Sequence, residues 1–321
     1  MTAKISVIIP LYNKEHEIKR CLDSVLCQTF QDFDVIVVDD HSTDGGLSIV
    51  KSYSDPRISV IEQDHRGVSY TRNHGVDQAT GEYLAFIDAD DEWLPKHLET
   101  IVRLIVNFPE AGMFTTTCNI HTADGKTRAP EYFCIPPPPW EGLIPDFFQT
   151  LARGIKKSYA NWPTNSSVVV IPKKIFFERG RFLEGYWMSE DSALYINIAL
   201  KYPVAFSWEL GATIHFDASN RANDKNQTPD YENPSVKTAR AAFLKGEVPA
   251  EFAGSLNEYI TKMEILRAIQ YIRIGDSSSA RNILKKCNTK WQYREKMKWL
   301  VITKVPYPLF LYIQKIRQKL N

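Results

Sequence analysis

Tyr83-Leu84-Ala85-Phe86-Ile87-Asp88-Ala89-Asp90-Asp91 is an apolar run that ends abruptly in acids. A short, unbroken apolar run suits a strand buried on both faces, as in a parallel sheet. Residues 68–79 before it have helical character and are stopped by Gly81. After it, Leu98, Ile101, Val102, Ile105 and Phe108 recur at helical spacing. The same alternation runs upstream. Residues 5–9 form a β-branched strand closed by Pro10, and Ile18, Cys21, Leu22, Val25 and Leu26 mark a helix. Residues 35–38 form a second strand ending at Asp39-Asp40. Asp44-Gly45-Gly46 then breaks the chain before a helix near 47–52, and residues 58–61 form a third strand. This order predicts an α/β fold with a mostly parallel central sheet and helices on its faces. Such sheets bind ligands at the carboxyl ends of their strands. Tyr12-Asn13, Asp39-Asp40 and Asp88-Ala89-Asp90 all fall there.

Side chains alternate along an extended backbone, so Asp88 and Asp90 point to the same side, with Ala89 between them. Together they can serve one hard cation, Mn²⁺ or Mg²⁺, which prefers oxygen ligands and commonly bridges carboxylates to phosphates. The plainer reading makes them solvated loop acids or caps of the next helix. Asp39 and Asp40 can accept hydrogen bonds from a nucleobase or from ribose hydroxyls, or can cap the turn that follows, for which Ser42, Thr43 and Asp44 are also suited. Arg72 reads as an exposed cation near this edge. It is suited to pairing with a phosphate or to a surface ion pair.

The rest of the chain is less regular. Pro136 to Pro139 forces an extended loop. Residues 167–171 read as a strand ended by Pro172, residues 191–200 as a helix after Ser189-Glu190, and residues 211–216 as a last strand. Trp162, ahead of the 167–171 strand, can stack on a sugar or pack in the core. Residues 221–253 read as a mobile loop or linker and residues 254–321 as a helical C-terminal extension. Net charge is +1 over 321 residues. The sign is unevenly spread. Residues 281, 285, 286, 290, 294, 296, 298, 304, 315, 317 and 319 are Lys or Arg against the single acid Glu295, so the tail carries +10 and residues 1–280 carry −9. The 5 cysteines are odd in number and lack metal-binding spacing. With neither a secretory leader nor a membrane-spanning run in the sequence, a cytoplasmic protein with reduced thiols is expected.

Four motifs resemble family 2 glycosyltransferases, which have the GT-A fold. They are Ser6-Val7-Ile8-Ile9-Pro10-Leu11-Tyr12-Asn13, Val37-Val38-Asp39-Asp40-His41-Ser42-Thr43-Asp44, Gly67-Val68-Ser69-Tyr70-Thr71-Arg72-Asn73, and Gly81-Glu82 leading into the 83–91 run quoted above. A fifth stretch, residues 185–200 with Ser189-Glu190-Asp191, resembles the family's acceptor-side Glu-Asp motif. The resemblance implies a catalytic domain over residues 1–220, with 1–110 the nucleotide-binding half and 111–220 the acceptor half. Pro10, Tyr12, Asn13, Glu17, Asp39, Asp40, Arg72, Asp88 and Ala89 would line the nucleotide-sugar site. Asp90 would be the direct metal ligand, helped by Asp88 and by His215, which with Ser219 resembles a His-x-x-x-Ser element. Asp191 would be the catalytic base and Glu190 its helper. His41, His65 and Thr71 depart from the family pattern, where Gly, Asn and Ala are usual.

The implied activity is inverting transfer of a sugar from a nucleotide diphosphate sugar, by default a UDP-sugar, to a hydroxyl of a glycan or lipid-linked acceptor. Cell-surface polysaccharide synthesis is its setting. A nucleotidyltransferase is disfavoured because Tyr12-Asn13-Lys14-Glu15 lacks a glycine-rich phosphate loop. A dehydrogenase lacks its GxGxxG, and a non-catalytic glycan-binding module has no need of both Asp90 and Asp191. The basic tail interleaves Trp291, Tyr293, Trp299, Tyr307, Phe310 and Tyr312 with its cations. That pattern suits peripheral contact with the inner face of the cell membrane through 281–321 rather than nucleic acid. The alternative is aromatics packing on the body or on another subunit of a homo-oligomer.

Overall fold

The computed structural model describes residues 4–132, 134–153, 163–218 and 231–312. Trp162, Ser219 and the last cations of the tail lie outside the described residues. Strands β1 (Ile5–Leu11), β2 (Phe33–Asp39), β3 (Ile58–Glu62) and β4 (Tyr83–Phe86) are linked by helices α1 (Ile18–Leu26), α2 (Gly46–Lys51) and α3 (Val68–Gln78). They form a parallel block in the order β3-β2-β1-β4. The register sets Leu11 beside Asp39, so the loops after β1 and β2 emerge side by side. Helix α3 lies close on β1, because a Cβ at Gly75 would stand 2.7 Å from Ile8.

Past β4 come β5 (Glu92–Trp93), α4 (His97–Asn107), β6 (Met113–His121), β7 (Thr127–Arg128), β8 (Glu141–Leu143), α5 (Phe147–Arg153), β9 (Val169–Pro172), α6 (Lys173–Arg179), α7 (Glu190–Ala199) and β10 (Val204–His215). The sheet continues β4-β9-β6-β10-β5, and β9 runs antiparallel to both neighbours. The expected strand at 167–171 therefore starts two residues later, after a 3₁₀ turn at Ser166–Val168 capped by the Asn165 side chain. The expected strand at 211–216 is the end of the much longer β10. The sheet alternates faces in the usual way. Ile5, Val7, Ile9 and Leu11 pack on α1 and α4, while Ile8, Ile36, Val38 and Phe86 pack toward α7.

Residues 234–245, expected within a loop, form helix α8 (Pro234–Lys245), and α9 (Ala250–Arg273) starts ahead of residue 254. The polar composition before Pro234 hid a helix start. Asn233 accepts from the Ser235 amide at 2.9 Å, and proline occupies the first turn, where its missing N–H costs nothing. Val236, Ala239 and Ala242 of α8 and Leu256, Tyr259 and Met263 of α9 join the same core cluster as Leu194 and Ile198 of α7. Helices α10 (Ser277–Lys286) and α11 (Tyr293–Ile302) follow, with Ala280, Leu284 and Phe310 in a smaller separate cluster.

Candidate active site

The carboxylate oxygens of Asp88, Asp90 and Asp91 lie within 4.8 Å of one another just beyond β4. Each is held differently. Asp90 accepts from the Lys14 ammonium at 2.8 Å, and its carbonyl accepts from Arg20 at 2.5 Å. Asp88 accepts from Arg72 at 2.6 Å. Asp91 is buried and accepts from the Ser167 hydroxyl at 2.5 Å and the His215 amide at 3.0 Å. Burial, with Asp90 and Asp88 alongside, pushes the Asp91 pKa well above the ordinary carboxylate range. Three carboxylates this close together offer the oxygen donors that a hard divalent cation takes. The His215 ring stands apart from this group, 3.3 Å from Glu92 and 3.4 Å from Asp217. It is the His215 backbone that touches the acids, through Asp91.

Arg72 corrects the expectation of an exposed cation: it is 3% exposed. One guanidinium nitrogen binds Asp88, and another binds Glu190 of α7 at 2.9 Å. Burial opposes the arginine's charge, but the carboxylates of Asp88 and Glu190 outweigh it and hold its pKa above the ordinary value. Burial and then the neighbouring Asp191 raise the Glu190 pKa, against the pull of Arg72. A single side chain thus joins the acids after β4 to the acids of α7.

The adjacent serines Ser166 and Ser167 make a second tie. Ser167 accepts from the Asp88 amide at 3.1 Å while donating to Asp91, and Ser166 donates to Asp191 at 3.3 Å. Asp191 also accepts from the Ser192 amide at 2.6 Å and hydroxyl at 3.1 Å, and is partly exposed. The residue before this pair of acids, Ser189, has φ 64°, a left-handed turn that is unusual without glycine. Its surroundings hold it there. The Tyr231 hydroxyl donates to the Met188 carbonyl at 2.7 Å and accepts from the Met188 amide at 3.3 Å, and Asn233 donates to the Ser189 hydroxyl at 3.3 Å.

The loops after β1 and β2 interlock. Asn13 accepts from the Thr43 amide at 2.7 Å, and its own amide donates to Ser42 at 3.0 Å. Tyr12 stacks on His65 with ring centroids 4.3 Å apart. Asp39 and Asp40 are both buried. Asp40 is engaged inside the protein, accepting from Gln63, the Arg66 amide and the Gly67 amide at 2.8–2.9 Å, with His65 at 2.9 Å. Asp39 keeps one buried oxygen with no hydrogen-bond partner among the described residues. Pro10 stands opposite Val38, one residue before the end of the β1 ladder, and Glu17 precedes α1. His41 takes φ 67°, which explains why a glycine is usual there.

Sequence reasoning missed Lys14, Asp91, Ser166, Ser167 and Tyr231 as parts of this arrangement. Lys14 and Asp91 carried a signal, since both adjoin assigned residues. The serines and Tyr231 carried none, because their partners lie far away in the chain.

The family model of glycosyl transferase family 2 matches residues 6–179. The uncharacterized glycosyltransferase YibD of Escherichia coli (strain K12) is 38% identical over 120 residues, 37% of this chain and 34% of YibD. The Escherichia coli UDP-Glc:alpha-D-GlcNAc-diphosphoundecaprenol beta-1,3-glucosyltransferase WfgD is 32% identical over 130 residues, 40% of this chain and 51% of WfgD. The chain thus spans between a third and about half of the length of these curated relatives. Residues 1–349 of S. aureus TarS, solved with UDP-GlcNAc, superpose with a TM-score of 0.69 at 18% identity, covering 89% of this chain and 82% of that one. The mannosyltransferase PcManGT of Pyrobaculum calidifontis, solved with GDP-Man and Mn²⁺, gives a TM-score of 0.58 at 18% identity, covering 98% and 85%. These neighbours share the GT-A fold expected from the motifs. With the family model covering more than half of the chain and the acids gathered at the carboxyl edge of the sheet, this protein belongs to glycosyltransferase family 2.

Proposed function

We propose that the protein moves a sugar from a nucleoside diphosphate sugar, first of all a UDP-sugar, to a hydroxyl of a glycan or lipid-linked acceptor, inverting the anomeric centre. The setting is cell-surface polysaccharide synthesis at the cytoplasmic side of the membrane. The observation that carries this reading is the juxtaposition of the Asp88, Asp90 and Asp91 carboxylates with the Glu190-Asp191 pair, joined through Arg72. The nucleotide sugars bound by TarS and PcManGT, and the Mn²⁺ in the latter, support it.

In this reading residues 1–110 take the donor and residues 111–220 the acceptor. The base and ribose sit among Pro10, Tyr12, Asn13, Glu17 and Asp39, whose unpartnered oxygen would accept from an N–H or hydroxyl of the nucleoside. Asp40 acts from behind by fixing the 63–67 loop. Mn²⁺ or Mg²⁺ held by Asp90 and Asp88 would neutralise the diphosphate and make it a better leaving group, whereas the His215 ring is engaged by Glu92 and Asp217 instead. Arg72 orients Asp88. Asp191 takes the proton from the acceptor hydroxyl as its oxygen attacks the anomeric carbon, and Glu190, fixed by Arg72, sets the start of α7 from which Asp191 projects. The attack passes through an oxocarbenium-like state.

The test is a thermal-shift screen of nucleoside diphosphates with and without Mn²⁺. UDP with Mn²⁺ is expected to raise the melting temperature, by the equivalent of about 2.7 kcal/mol at a hundredfold excess over Kd. Asp90→Asn is expected to remove the Mn²⁺-dependent part. If no nucleoside diphosphate shifts the transition under either condition, the donor reading fails. Transfer and hydrolysis assays with the matching sugar nucleotides follow.

A further inference from the structure

Helix α11 carries apolar side chains on two sides, of which only one is covered by the protein. Inward, Trp299, Leu300 and Ile302 pack against the cluster of Ala280, Leu284 and Phe310. The Lys296 ammonium donates to the Cys287 carbonyl at 2.6 Å, and Arg281 donates to the Thr303 carbonyl at 2.7 Å. The helix is thereby fixed to the body of the protein. Outward, Tyr293, Met297 and Val301 recur at i, i+4 and i+8 and so form one stripe. They are 57%, 40% and 60% exposed. No residue of α11 is buried. The aromatics of the basic tail are therefore divided: Trp291, Trp299, Tyr307 and Phe310 pack inward, and Tyr293 and Tyr312 face solvent.

The charge around the stripe has one sign. Lys290, Arg294, Lys298 and Lys304 flank it, and the one acid of the segment, Glu295, is satisfied locally by Lys298 at 3.2 Å and the Trp299 indole N–H at 3.2 Å. A nucleic acid would use the cations but has no use for exposed Met and Val. A second copy of this chain would bring the same positive charge against itself. An anionic lipid surface satisfies both features, taking the apolar stripe into the acyl boundary and the cations at the headgroups. We infer that the Tyr293–Met297–Val301 face of α11 is a docking surface for anionic phospholipid. It extends the functional reading above by naming the face that meets the membrane, and it is testable without any catalytic assay.

The experiment is co-sedimentation of the full chain with vesicles of phosphatidylcholine alone and with about 30% phosphatidylglycerol. Binding is expected to the anionic vesicles only, and to weaken with added salt. Met297→Glu combined with Val301→Glu is expected to lower the partition coefficient at least about tenfold. Arg294→Glu combined with Lys298→Glu is expected to do the same. Both pairs are exposed, so the melting temperature should stay within a few degrees of wild type. Equal sedimentation with both vesicle types, or binding unchanged by the Met297/Val301 pair, overturns the inference. So does a concentration-dependent dimer that this pair dissolves while no vesicle binding is seen, which would assign the face to a second copy. Loss of Mn²⁺-dependent nucleotide binding with vesicle binding intact would count against the donor reading alone.

Discussion

Beyond β4, Asp90 meets the Lys14 ammonium at 2.8 Å and Asp88 meets the Arg72 guanidinium at 2.6 Å. At the start of α7, Asp191 meets hydroxyls and an amide from Ser166 and Ser192, with no cationic partner among the described residues. The same functional group sits in two environments. Asp90 and Asp88 are paired with cations, and Asp191 is oriented by neutral donors. Glu190 stands between the two, buried and tied to Arg72, so the acids after β4 and the acids of α7 are coupled through one ion-pair network.

The largest expected effect separates the two sides outright. Asp191→Asn keeps the shape and the hydroxyl contacts but cannot take a proton, so transfer should fall about 10²–10⁴-fold while nucleotide binding is unchanged. Near-normal transfer by the folded variant would remove Asp191 from the reaction. Next comes the tie itself. Arg72→Met leaves Asp88 and Glu190 uncompensated and should cost about 3–5 kcal/mol in urea unfolding, with Arg72→Lys recovering only part because one ammonium cannot serve both acids. A loss below about 1 kcal/mol would mean the bridge is not a structural element.

Smaller effects sharpen the contrast. Tyr231→Phe deletes a hydroxyl that serves both backbone groups of Met188. It should cost about 1–2 kcal/mol of stability and lower kcat with little change in KM for the donor, since it disturbs only the approach to Asp191. A change confined to donor KM would place Tyr231 on the wrong side. The smallest effect concerns pH. The folded pKa of Asp91 is raised, so its stabilising contribution is present below the ordinary carboxylate range and is lost as pH rises through the raised value. Without divalent metal, stability should fall over that rise. Asp91→Asn should flatten the slope, and Mn²⁺ should oppose the slope in the wild type. A pH profile identical in the two proteins would show that Asp91 does not set it.

The amino-acid sequence by itself determined the parallel half of the sheet and the rim it presents. Runs such as Val35–Val38 and Tyr83–Phe86 followed by acids are short-range patterns, and burial on both faces leaves them few alternatives. The acidic pair ahead of Ala193 was equally visible. Only the tertiary structure decided that Arg72 is buried and bridges Asp88 to Glu190, a partner 118 positions away. It likewise decided that Ser166 and Ser167 serve both sets of acids, that Asp40 turns inward to the 63–67 loop, and that α8 and α9 brace the approach to Asp191. These outcomes depend on which polar groups meet after the chain has closed. A residue's periodicity records the face it buries, but the partner that meets its charge there is supplied by another part of the chain.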